Sequence, residues 1–219
     1  MMNTHREPAD PGGRTVLDGG GTMRKLDVEG TWLFLPEVLK DERGVFAEWF
    51  RDLPFEVHIG HRLNLGQANL SVSRAGVVRG IHFADVPPGQ AKWVCCVRGA
   101  VLDVAVDVRL GSPTFGRWAS TRLDSERRQV LYLPEGVGHA FMALGDDTTV
   151  VYLCSQPYVA ARERAVSPVD PEIGIEWPDT QPMILSQKDT HAPTLKEAER
   201  LGILPTYEEC IRYARGLTA

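Results

Sequence analysis

The chain has 219 residues, 43% of them hydrophobic and 24% charged, which is enough to bury one good core and points to one folded domain. A net charge of −5 leaves no basic footprint for duplex nucleic acid or anionic lipid, so neither is an expected partner and a dissolved small molecule is. No run approaches the roughly 18 apolar residues of a membrane span and the first residues lack the apolar stretch of a secretion signal, so a cytoplasmic protein is expected.

Residues 1–22 carry Pro8, Pro11, several glycines and scattered charges with no apolar periodicity, and are expected to be a disordered extension. A folded domain is expected over 23–193. From Met23 to Cys154, short apolar runs alternate with turn signals, the pattern of an all-β sandwich or barrel. Strands are expected at 31–35, 45–51, 64–73, 77–83, 91–98, 101–109, 116–123, 130–133, 137–143 and 148–154. The clearest is Val101 to Arg109: its even positions are Leu or Val while Asp103, Asp107 and Arg109 fall on odd ones, so one buried and one polar face are expected. Asp103 and Asp107 are read there as structural, tied to Arg109 or to backbone. In the tail, Thr194 with Glu197 and Thr206 with Glu209 have capping-box spacing, so two short helices are expected over 194–219, packed outside the β core. The four cysteines show no metal or CxxC spacing and read as reduced packing residues, with neighbours Cys95 and Cys96 on opposite strand faces.

Polar residues inside strands are the informative ones, because burying charge without using it forfeits stability. Gln67, Asn69, Ser71 and Ser73 alternate along one strand and so share a face; Arg79 and His82 follow on the next, then Lys92, and His139 and Tyr152 lie on two later ones. A polar-lined cavity follows. Asp41-Glu-Arg-Gly44, Gln67-x-Asn69, Val78-Arg-Gly-Ile-His82, Gln90-Ala-Lys92, Asp103 to Asp107, Ser112-Pro-Thr-Phe-Gly116, Pro134-Glu-Gly136 with His139, and Ser186-Gln-Lys-Asp189 resemble the motifs of the dTDP-4-dehydrorhamnose 3,5-epimerase family. The resemblance runs from about Arg24 to Pro193, and it implies a cupin-type jelly-roll β-sandwich.

It also implies a reaction: inversion of C3, C5 or both in a dTDP-4-keto-6-deoxyhexose, with His82 as base, Asp189 as its carboxylate partner, Lys92 beside the developing oxyanion and Tyr152 as acid. By the same resemblance Arg43, Arg79 and Lys188 meet phosphate, Glu48, Gln67, Asn69 and Glu163 are hydrogen-bonding contacts, His139 orients the sugar, and Tyr158 stacks on thymine with Phe46 as a second aromatic wall. Arg43 and its strand are implied to come from a neighbouring subunit, so a strand-exchanged homodimer is expected. Many cupins hold a metal through two histidines one residue apart; His82-Phe83-Ala84 offers one, so no metal and no cofactor is expected. A non-catalytic sugar-nucleotide binder could dispense with the base or the acid, and this chain carries both. Three departures lie near the sugar: Ala84 where many members read Gln, Ala140 in His139-Ala-Phe141 where they read Gly, and Pro168 where they read Trp. They resemble the antibiotic-sugar branch, some members of which invert one carbon only.

Overall fold

The computed structural model describes residues 15–16 and 20–217, so most of the expected N-terminal extension lies outside the described residues. Strands β1 (Thr15–Val16), β2 (Thr22–Lys25) and β3 (Trp32–Leu35) are followed by a hairpin of β4 (Leu39–Asp41) and β5 (Gly44–Phe46) that joins neither large sheet. Helix α1 (Asp52–Ile59) precedes β6 (Gln67–Ser73), β7 (Val78–Ala84), β8 (Lys92–Arg98), β9 (Ala100–Val106), β10 (Trp118–Asp124), β11 (Val130–Leu133), β12 (Gly138–Ala143), β13 (Thr148–Cys154) and β14 (Glu163–Ala165). The chain closes with α2 (Gln187–Thr190), α3 (Leu195–Arg200) and α4 (Tyr207–Gly216).

The strands form a seven-stranded sheet, ordered β1-β2-β3-β11-β8-β13-β6, and a five-stranded sheet, ordered β10-β9-β12-β7-β14. Leu33, Val94, Cys96, Leu131 and Val150 of the first pack against Val101, Ala105, Leu123 and Phe141 of the second, so the sheets close face to face as a cupin-type β-sandwich. Two outer layers complete the burial. Phe55 of α1 covers Trp93, Cys95 and Tyr132 behind the larger sheet, while Leu195 and Ala198 of α3 and Leu204 cover Ile81, Val104 and Val106 behind the smaller one. All four cysteines are free and buried, and Cys95 and Cys96 do pack on opposite faces of β8.

Several expectations need correction. The strand expected over 45–51 ends at Phe46, and the chain turns into α1, which lacks a side-chain cap and exposes Leu53 and Val57; without an apolar stripe it leaves no helical signature. β9 ends at Val106, short of Arg109, and it is buried on both faces: Val104 and Val106 meet the helical layer, and Asp103 lies between the sheets. A central strand under helices has no solvent face, so its polar side is the interior of the barrel. Asp107 does tie to Arg109, through hydrogen bonds of 2.8 Å from both Nε and Nη2. Asp103 instead accepts from His139. β1, β2, β4, β14 and the single turn α2 lie outside the expected strands and helices. Thr194 and Glu197 form a full capping box at α3, whereas at α4 the Glu209 carboxylate accepts the Thr206 hydroxyl, which itself accepts the Glu209 N–H.

Candidate active site

The site is assembled by β7 and β12 of the smaller sheet facing β6, β8 and β13 of the larger. Pairing places His139 opposite His82 and Phe141 opposite Arg79, so β7 carries one extra residue in that interval. Such a bulge reverses the alternation of faces. Residues directly opposite each other in an antiparallel pair point the same way, so Arg79 and His82, three apart, both turn toward the inter-sheet space that His139 and Phe141 face. Gly80 makes the bulge feasible: its φ is +119°, and a Cβ there would stand 2.3 Å from the His139 carbonyl oxygen.

His82 Nε2 lies 2.6 Å from Asp189 Oδ1. Asp189 sits in the one-turn helix α2 and is buried, and the Ser186 hydroxyl caps that turn by accepting the Asp189 N–H at 3.1 Å while donating to Oδ2 at 2.8 Å. Burial alone would push the Asp189 carboxyl up, but the hydrogen bond and charge of His82, with further bonds from Ser186 and the Gly80 N–H, hold it below the usual carboxylate range. The dyad is therefore a carboxylate fixing one ring nitrogen. A second pair lies beside it, with His139 Nε2 2.8 Å from Oδ1 of the fully buried Asp103, whose Oδ2 has no partner among the described residues.

Across the barrel, Tyr152 of β13 packs on the inter-sheet core opposite Asn69 of β6 and Val94 of β8. Burial, reinforced by Cys154 and Glu163 and opposed by Arg79, pushes its phenol up, so it keeps its proton at neutral pH. Burial pushes the Lys92 ammonium down, and the pull of Cys154, Glu163 and Asp103 opposes that shift, while Lys188 adds to it. These charges share one neighbourhood. Gln67 Nε2 donates to Asn69 Oδ1 at 2.7 Å, Asn69 Nδ2 approaches Cys154 Sγ at 3.6 Å, and Gln67 Oε1 accepts the Tyr158 N–H at 2.7 Å. Glu163 of β14 pairs opposite Ala84, and Arg79 Nε donates to Ser73 Oγ at 3.2 Å.

One group of expected residues stays outside this cluster. Arg43 sits at the β4–β5 turn with its side chain 85% exposed, bonded to Asp41 next to it; Phe46 is 63% exposed, and Glu48 lies 3.8 Å from Arg51. Tyr158 is also largely exposed, and Lys188 is exposed on α2 yet near enough for its charge to act on Lys92. Two members of the cluster were missed in the sequence: Asp103, set aside as structural, and Ser186, read only as part of a motif. No local signal picks out Asp103: it alternates with Val104, and only the helices that cover the Val104 face make the Asp103 side the interior one.

The sequence model of the dTDP-4-dehydrorhamnose 3,5-epimerase family matches residues 25–197. The chain is 60% identical over 189 residues to the "probable dTDP-4-oxo-2,6-dideoxy-D-glucose 3,5-epimerase" of Streptomyces antibioticus, covering 85% of this chain and 92% of that protein. It is 52% identical over 196 residues to the dTDP-4-dehydrorhamnose 3,5-epimerase of Mycolicibacterium smegmatis, covering 90% and 96%. Among solved structures, ChmJ, a 3'-monoepimerase from Streptomyces bikiniensis in complex with dTDP-quinovose, superposes with a TM-score of 0.86 at 50% identity, covering 88% of this chain and 98% of that one.

Proposed function

The chain belongs to the dTDP-4-dehydrorhamnose 3,5-epimerase family, and from that premise we propose how its own residues carry out the epimerisation of a dTDP-4-keto-6-deoxyhexose. It is an isomerase. The observation that carries the mechanism is the placement of an imidazole–carboxylate dyad on one wall of the barrel and a protonated phenol on the other.

A proton beside the ketone is acidic because the charge left behind spreads onto oxygen. His82 takes that proton, and Asp189 fixes its tautomer and stabilises the imidazolium. Lys92 stabilises the enolate oxygen; a buried ammonium does so strongly because little water screens it. Tyr152 returns a proton from the opposite wall, which inverts the carbon. His139, held by Asp103, orients the sugar. Arg79 and Lys188 meet the phosphates, Gln67, Asn69 and Glu163 supply hydrogen bonds, and Tyr158 stacks on the base.

Arg43, Phe46 and Glu48 reach the nucleotide from a second copy of the chain. Supporting this homodimer, the detached β4–β5 hairpin exposes Leu39, Val45 and Phe46, and the edge strand β6 exposes Leu70 and Val72, apolar surface that a second copy would cover. Sedimentation should give a mass of two chains; a single-chain mass with full activity would refute the exchange. Among the described residues no helix is long and apolar enough to cross a membrane, and four free thiols fit the reducing cytoplasm, where we place the enzyme.

The experiment is proton NMR in heavy water with the keto sugar. Wild type incorporates deuterium at C3, C5 or both, and the pattern decides between double and single inversion, since relatives of comparable identity include both kinds. His82→Ala should abolish incorporation while dTDP still binds; near-normal exchange in that variant would remove the base assignment.

A further inference from the structure

The Pro134-Glu135-Gly136 run has no part in the mechanism above, yet it places a carboxylate in the interior. Glu135 is 2% exposed and Ser155, which follows β13, is 5% exposed. The Ser155 hydroxyl donates to Glu135 Oε1 at 3.2 Å and accepts the Ala91 N–H at 2.8 Å, and the Ser155 N–H donates to the Ala91 carbonyl at 3.0 Å. The Gln90 side chain adds a bond of 2.9 Å to the Gln156 carbonyl. The next residue after Ala91 is Lys92, the first of β8, opposite Cys154.

These bonds lie where β8 enters the ladder. A serine hydroxyl rotates freely and has one proton and two lone pairs, so an acceptor that holds the proton keeps a lone pair turned toward the Ala91 N–H. Glu135 is that acceptor. The stem of Lys92 is buried, which restricts its rotamers, so the backbone from which it leaves sets where the ammonium sits. We propose that Glu135, acting through the Ser155 hydroxyl, is a positioning residue that fixes the entry of β8 and thereby holds Lys92 at the enolate oxygen. The proposal rests on the role of Lys92 given above.

The test uses the full chain and a dTDP-4-keto-6-deoxyhexose. Ser155→Ala and Glu135→Ala should each lower kcat about tenfold or more, while the Kd for dTDP, measured by calorimetry, moves by less than about twofold. Glu135→Gln should stay within about threefold of wild type, because its carboxamide oxygen still accepts the hydroxyl proton. In a Lys92→Met background, Ser155→Ala should add no further loss to the residual turnover, since its effect runs through the missing ammonium. Unchanged kcat in Ser155→Ala, equal losses in Glu135→Gln and Glu135→Ala, or an undiminished Ser155→Ala effect in the Lys92→Met background would each overturn the proposal. If Glu135→Ala fails to fold, Ser155→Ala and Glu135→Gln decide it. A Lys92→Met enzyme with normal turnover would instead bring down the reading of Lys92, and a dead Lys92→Met beside a normal Ser155→Ala would bring down the inference alone.

Discussion

A histidine that takes a proton from carbon must begin with one ring nitrogen bare and end as an imidazolium, so its second nitrogen needs a partner that stays anionic throughout. In the proposed mechanism Asp189 meets that demand, because its neighbours hold its carboxyl down in spite of burial. Asp189→Asn keeps the shape and removes the charge; kcat should fall about a hundredfold or more while dTDP affinity is retained. Steady-state turnover beside calorimetric titration with dTDP measures both, and a fall below about threefold would mean that the carboxylate only packs. On the proposed mechanism Tyr152→Phe separates the two half-reactions, since it leaves His82 in place. Substrate protons should still wash out into heavy water while inverted product no longer forms, and loss of washout as well would reassign the phenol to the first step.

Elements decide which residues can meet. Period-two reasoning sends Arg79 and His82 to opposite faces, and the bulge at Gly80 returns them to the same one. Gly80→Ala sets a Cβ within 2.7 Å of Ala140 as well as against the His139 carbonyl, at a φ that side chains rarely adopt. It should cost about 2 kcal/mol or more of stability, read by urea unfolding, and at a temperature where the variant remains folded its turnover should still fall well below wild type. An unaltered kcat there would show that the bulge does not set the site. At α3, Thr194→Ala breaks the capping box and should cost about 1 kcal/mol without touching turnover, visible as a modest drop in Tm. That box was legible because it depends on residues three apart in one segment; the bulge was not, because an extra residue in β7 has meaning only against the partner strand β12.

On the scale of the whole molecule, the buried Asp107 gathers Arg109, Ser112 and Thr114, and Arg109 reaches the Glu29 carbonyl at 2.7 Å and lies under the ring of Tyr207, so the β2–β3 loop, the segment that follows β9 and α4 share one ion pair. Burial would raise the Asp107 carboxyl, but Arg109 and the two hydroxyls hold it low. A carboxyl lowered in the fold stabilises fully above its ordinary pKa, near 4, and that contribution is lost as pH falls through the lower folded value. Asp107→Asn should therefore be less stable at pH 7 by about 3 kcal/mol, because it strands a buried guanidinium, and should lose less than wild type on going from pH 5 to pH 3. Urea midpoints at the three pH values check this, and parallel curves would contradict it. The sequence by itself determined the β-rich class, most strand positions, the C-terminal helices and the family motifs, because alternation, capping and motif spacing are local and survive in one dimension. Only the tertiary structure decided that the polar side of β9 is an interior wall, that Asp103 bonds His139, and that Glu135 meets Ser155 where β8 begins. Those contacts join residues dozens of positions apart, and their register is set by which strands become neighbours in the closed sandwich.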